Sequence, residues 1–245
     1  MPTPGCPVPP IRLVAFDLDD TLYPEREFVR SGFRVVSDYL RQAGLVGRPL
    51  LAEMEAAFHA GVRGHVFEQV LRGVGVEPDA ALVATLVAVY RTHASAYGSV
   101  RPDIRLFPDA DAALAHLAAR GLRLGLVSDG PLASQQAKVA ALGLAARMDA
   151  VILTDSWGRP FWKPHPRAFI ELASRLAVAP ADCVYVADNP EKDFQGPAAA
   201  GWRPSVWIRR PDGLYREAAL PPASLVGGTI GGLNELEPAL EMRGC

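Results

Sequence analysis

Five short apolar runs punctuate this chain: Leu13 to Phe16, Leu122 to Val127, Ala150 to Leu153, Cys183 to Ala187 and Ser205 to Ile208. None shows the apolar/polar alternation of a half-solvated strand, so each reads as a parallel strand buried on both faces. Helix-like stretches separate them, Ala110 to Ala119, Leu132 to Ala141, Pro166 to Ala177 and Pro190 to Ala200, several closed by a glycine such as Gly121, Gly143 or Gly201. Strands alternating with helices predict an α/β fold, a doubly wound parallel sheet. Sheets of this kind bind ligands beyond the carboxyl ends of their strands, where the strand order reverses. Three of the runs end on polar groups: Asp17-Leu18-Asp19, Ser128-Asp129-Gly130 and Asp188-Asn189-Pro190. Folding is therefore expected to gather these segments at one edge.

The alternation fails between about Tyr23 and Arg101. Helical patterns at Glu27 to Gln42, Leu50 to Ala60, Val66 to Gly73 and Asp79 to Ala96 follow one another with no clear strand. The expected division is a disordered tail over 1–10, an α/β core over 11–22 and 102–245, and an inserted helical cap over 23–101. An insertion directly after the first strand would be placed to exclude water and select a substrate. The segment Ser224 to Leu240 is expected to add a short strand at Thr229-Ile230 and a last helix.

A chain of 245 residues, 49% hydrophobic and 21% charged, can bury a full core and leave room for such an insert. Its net charge of -2 makes nucleic acid and anionic membrane poor partners. The longest apolar stretch, Ala80 to Tyr90, falls short of the roughly 20 residues a bilayer demands. The first ten residues carry neither a basic nor an apolar signal region, and Cys6, Cys183 and Cys245 show no metal-ligand spacing. Free thiols and a cytoplasmic setting are expected.

The polar strand ends carry the chemistry. Asp17 would present a nucleophilic carboxylate to the crevice, and Asp19, two residues on, would point the same way as a general acid and base. Alone, an Asp-x-Asp at a strand end is more often a turn cap. Asp188 and Asp193, flanking a proline that can start a helix, could face one point and supply oxygen ligands suited to Mg2+. The Ser128 hydroxyl, with nearby backbone N–H groups, could hold phosphate oxygens. Lys163 is one of three lysines among 25 basic residues, which suggests a need for a compact point charge beside Pro164.

Taken in order, these segments resemble the four motifs of the haloacid dehalogenase-like (HAD) superfamily of aspartate-nucleophile hydrolases, over Val14 to about Arg209. Its Asp-x-Asp-x-Thr motif falls on Asp17, Asp19 and Thr21, its Ser/Thr motif on Ser128, its Lys-Pro motif on Lys163-Pro164 and its acidic motif on Asp188 and Asp193. The resemblance implies a Rossmann-like core with a helical cap of the first class. It implies Asp17 as nucleophile, Asp19 as acid and base, and Ser128 and Lys163 as further catalytic residues. Phosphate would be bound by Leu18, Ser128, Asp129 and Lys163, and Mg2+ by Asp17, the Asp19 backbone carbonyl, Asp188 and Asp193. Asp193 could instead orient Lys163. Dehalogenase members lack a carboxylate at the Asp19 position, so the resemblance favours a phosphatase acting on a small phosphorylated metabolite. Ala187 stands where the acidic motif commonly has glycine, and Asp155 to Trp162 is longer and more aromatic than the usual approach to the lysine.

A phosphosugar mutase of the same superfamily shares every motif and stays open as an alternative. So does a phosphate-accepting signalling switch, although its acidic residues come in a different order and it has no place for the insert. Substrate-contacting residues are expected at Arg63 and His65, with Arg26, Arg30 and Arg34 as further candidates, although exposed arginine is ordinarily solvated. Oligomeric state is not legible in the sequence.

Overall fold

The computed structural model describes residues 10–62, 64–93 and 104–241. Strands β1 Leu13–Phe16, β2 Arg123–Ser128, β3 Ala150–Leu153, β4 Cys183–Ala187, β5 Ser205–Ile208 and β6 Val226–Ile230 make one parallel sheet, in the order β3-β2-β1-β4-β5-β6. From β1 the chain builds outward to β2 and β3, then returns to place β4 on the other side of β1. The strand order therefore reverses between β1 and β4, and sheets of this kind bind ligands beyond the carboxyl ends of such strands. Phe16 pairs with both Leu126 and Val186, so Asp17, Ser128 and Asp188 leave the sheet at nearly the same level.

The chain forms two compact units. One holds the described residues up to Pro24, Arg105–Gln135 and those from Leu142 on; the other holds Glu25–Ile104 and Gln136–Ala141. In the first unit, helix α7 (Arg167–Arg175) packs Ala168, Phe169 and Leu172 on the sheet face lined by Leu13, Ala15, Val127 and Tyr185. A Cβ on Gly125 in β2 would lie 2.6 Å from the Leu172 side chain, so glycine there admits the close approach of α7. Helices α5 (Pro108–Ala119), α8 (Gln195–Ala199) and α9 (Leu236–Glu241) also belong to this unit. Helix α6 (Leu132–Ala141) gives its first turn to this unit and Gln136–Ala141 to the other, a division with no counterpart in the sequence reading.

The second unit is built on α1 (Glu25–Gln42), α2 (Leu51–His59), α3 (Val66–Gly73) and α4 (Ala80–Thr92). Val29, Phe33, Val36 and Leu40 recur on one stripe of α1 and bury against Met54, Val70, Leu71, Leu86 and Val89. Phe33 makes edge contacts with Phe58 and Phe67. Asp79 caps α4 by accepting the Leu82 N–H at 2.7 Å.

Two expected elements differ. The helix expected over Pro190 to Ala200 reduces to α8, because 190–194 are drawn into turns by side chains of their own segment. There Asp193 accepts the Asn189 N–H at 3.0 Å and Asn189 accepts the Glu191 N–H at 2.9 Å, in competition with helical bonding. The strand expected at Thr229-Ile230 extends back to Val226 through two glycines. Residues 1–9 of the expected tail lie outside the described residues. No described helix is long and apolar enough to cross a membrane.

Candidate active site

Asp17 follows β1 and is held in register by its N–H, which donates to Val186 O at 2.9 Å. Its side chain meets the fully buried ammonium of Lys163, which donates to Oδ1 at 2.5 Å. The same ammonium lies 2.7 Å from Asp193 Oδ1 and donates to the Tyr185 hydroxyl at 3.1 Å. The ammonium thus donates to two oxygens and is charge-paired with a third. Tyr185 passes the contact on by donating to Val127 O at 3.1 Å, beside Ser128.

Carboxylate oxygens of Asp17, Asp188 and Asp193 lie within 4.8 Å of one another, all three residues buried. Such crowding shows in the electrostatics. Burial raises the Asp17 carboxyl to about 6, with Lys163 pulling it down and Asp193 pushing it up. Burial, then the charges of Asp17, Asp193 and Asp20, drive Asp188 well above the usual carboxylate range. Burial alone would lower Lys163, but Asp17 and Asp193 outweigh it and hold it charged, well above its ordinary value. Burial first of all keeps Tyr185 a neutral phenol. Three close carboxylates facing one ammonium leave an excess of negative charge that a hard divalent cation fits, since oxygen ligands suit Mg2+. Trp207 secures the Asp188 end of this cluster, its indole N–H donating to Asp188 O at 2.8 Å.

Ser128 is buried and donates to Gln135 Oε1 at 3.1 Å. The Gln135 amide reaches Asp19 Oδ2 at 3.5 Å, while the Tyr23 hydroxyl donates to Asp19 Oδ1. Gly130 adopts φ +127°, which favours glycine, and a Cβ there would sit 2.5 Å from Gln135 Nε2 and force that amide to shift. The Asp129 carboxylate faces inward: Oδ1 accepts from Thr154 Oγ1 at 2.7 Å and from the Lys163 N–H at 3.1 Å, and Oδ2 lies 3.2 Å from Lys192 Nζ. A carboxylate so placed would repel a phosphate rather than bind it, which leaves the backbone N–H as the one Asp129 group suited to the phosphate-binding role expected of it. Leu18 is fully buried, with its carbonyl accepting the Leu22 N–H at 3.0 Å.

The structure thus brings together Asp17, Ser128, Asp129, Lys163, Asp188 and Asp193, with Asp19 tied in through Gln135. The Asp19 carboxylate does not belong to the three-carboxylate group. His65 is exposed and precedes α3 in the helical unit without making a side-chain cap. Arg63 lies outside the described residues. Arg30 pairs with Glu55 at 2.8 Å, and with Arg26, Glu27, Phe33, Phe58 and His59 it lines a cavity of about 380 Å³ within the helical unit.

Sequence reading missed Tyr185, Gln135, Trp207 and Lys192. A tyrosine inside an otherwise apolar strand run is a usable signal, because a buried phenol needs a hydrogen-bond partner. Gln135 sits on a helix face with nothing in the sequence to mark it.

A model of the haloacid dehalogenase-like hydrolases matches residues 11–201. The chain is 32% identical over 213 residues to a glyceraldehyde 3-phosphate phosphatase of Methanopyrus kandleri, covering 84% of this chain and 87% of that one. It is 31% identical over 242 residues to an (S)-2-haloacid dehalogenase of Xanthobacter autotrophicus, covering 95% and 86%. Its fold matches a HAD phosphatase structure from Thermococcus onnurineus with a TM-score of 0.59 at 24% identity, over 94% of this chain and 98% of the other. With its motifs converging beyond β1 and β4 and the family model spanning most of its length, the chain belongs to the haloacid dehalogenase-like hydrolases.

Proposed function

We propose that this protein is a Mg2+-dependent phosphomonoesterase that hydrolyses a small phosphorylated metabolite through a phosphoryl group carried on Asp17. The observation that carries this reading is the Asp19 carboxylate. It stands two residues after the nucleophile, with Tyr23 and Gln135 holding its two oxygens. Relatives of similar identity include a phosphatase and a dehalogenase, and a carboxylate that can protonate an ester oxygen is needed only for the first chemistry.

The steps follow from the side chains. An Asp17 oxygen attacks phosphorus, the ester P–O bond breaks, and the leaving oxygen takes the proton of Asp19. Asp19, now ionised, removes a proton from a water that attacks phosphorus, the bond to Asp17 breaks, and phosphate departs. Lys163, charged and fixed by three oxygens, keeps Asp17 aimed. Backbone N–H groups at Leu18 and Asp129 and the Ser128 hydroxyl, rotating away from Gln135, supply donors for phosphate oxygens. Bound by Asp17, Asp188 and the Asp19 carbonyl, with Asp193 beside them, Mg2+ would offset the repulsion between Asp17 and the incoming dianion. The helical unit serves as the cap that selects the leaving group, with Arg63 and His65 as contacts, and the chain works in the cytoplasm.

Hydrolysis of p-nitrophenyl phosphate with and without Mg2+ tests this. Activity is expected to require the metal and to be lost in Asp17→Asn and Asp19→Asn. Dehalogenation of 2-chloropropionate without any phosphate release would refute the reading. Conversion of a phosphosugar to its isomer, with no net phosphate release, would favour the mutase.

A further inference from the structure

We propose that Lys192 is a phosphate-binding residue, exchanging its partner Asp129 for an oxygen of the transferring phosphoryl group when substrate arrives. The inference rests on the phosphatase reading and adds a residue to it. Lys163 is fully buried, donates to Asp17 and Tyr185 and is charge-paired with Asp193, so it is already engaged in holding the nucleophile. A phosphate dianion approaching Asp17 also meets the charges of Asp19 and Asp193, which act on the same carboxyl. The cations felt at Asp17 are Lys163 and Lys192. Of the two, Lys192 has the accessible side chain, 38% exposed against 0% for Lys163.

The local structure suits an exchange. The backbone of Lys192 is fixed by the turn in which Asn189 N–H donates to Asp193 and Glu191 N–H donates to Asn189. Its ammonium rests 3.2 Å from Asp129 Oδ2, next to the Ser128-Asp129-Gly130 turn where phosphate donors collect. After Lys192 leaves, Asp129 Oδ1 keeps two donors, Thr154 Oγ1 and the Lys163 N–H, so the carboxylate stays anchored at one oxygen while Oδ2 gives up its partner. Lys192 makes one charge-assisted bond to Asp129, and a phosphate dianion offers it another of the same kind with more negative charge, so the exchange replaces one such bond by another.

The test measures inorganic phosphate binding to the Mg2+-loaded protein by calorimetry, beside KM for p-nitrophenyl phosphate and for phosphoglycolate. Lys192→Met is expected to weaken phosphate binding and to raise both KM values about tenfold or more, from loss of one charged hydrogen bond. Lys192→Arg should restore most of the binding, and the melting temperature should hardly change. Unaltered phosphate binding in Lys192→Met would overturn the assignment. So would a KM increase confined to phosphoglycolate, which would make Lys192 a reader of the leaving group's carboxylate. Wild-type protein that binds phosphate through Lys192 yet hydrolyses no ester would sink the phosphatase reading while leaving this one standing.

Discussion

The two units solve opposite problems. In the helical unit the interior is apolar and aromatic, around Phe33, Phe67, Leu71 and Leu86, and ion pairs such as Arg72 to Glu77 and Arg48 to Glu53 lie on its surface. In the α/β unit, Asp17, Asp188, Asp193 and Lys163 are buried at one end of the sheet and linked to Tyr185, Trp207 and Asp129. Burying charge is costly, and pairing only partly repays it. Single buried cations occur elsewhere, Lys138 in the helical unit and Arg210 in the α/β unit, but three carboxylates and an ammonium buried together at one sheet end make that end the candidate site.

Removing Lys163 should break this contrast most severely. Lys163→Met leaves Asp17 and Asp193 buried without their cation and is expected to destabilise the metal-free protein by about 3–5 kcal/mol in urea unfolding. A cost near zero would mean that the carboxylates are already neutral without it. In the helical unit the comparable loss requires an apolar truncation. Phe33→Ala removes the centre of the aromatic cluster and should cost about 3–5 kcal/mol, read in the same experiment.

The acidity of the site sharpens the contrast. Asp17 is raised from 3.8 to about 6 in the folded chain, so its burial favours the protonated form. The resulting stability is complete below about pH 4 and disappears as pH rises through about 6. Asp188 acts in the same direction. Melting temperature of the metal-free protein should therefore drop over this window relative to Asp17→Asn, and added Mg2+ should raise it more at pH 7.5 than at pH 5. Equal Mg2+ stabilisation at both pH values would count against a carboxylate metal site. The smallest effect belongs to the surface: Arg72→Ala, breaking an exposed pair, should change stability by no more than about 1 kcal/mol.

Much of the sheet was legible because β1, β4 and β5 are continuous apolar runs, and buried parallel strands leave little else in a sequence. Asp17, Ser128 and Asp188 could be placed because each lies just at or beyond the end of such a run. Lys163 was legible from its rarity rather than its position. What could not be read depended on side chains meeting across strands. Tyr185 on β4 reaches Val127 on β2, two strands away, and Gln135 links Ser128 to Asp19 across a turn. The shortened α8 has a similar cause. Pro190 signals a helix start, but Asp193 is committed to Lys163 and to the Asn189 N–H, and the backbone follows the side chain.

The central claim is that phosphorus passes through Asp17. The direct measurement is acid-quenched mass spectrometry of Asp19→Asn after exposure to p-nitrophenyl phosphate and Mg2+, a variant that can accept the activated phosphoryl group but cannot activate water to remove it. A single phosphoryl group on the peptide containing Asp17, absent from Asp17→Asn, is the expected result. A phosphoryl group on any other residue, or steady phosphate release by Asp17→Asn at the wild-type rate, would contradict the account.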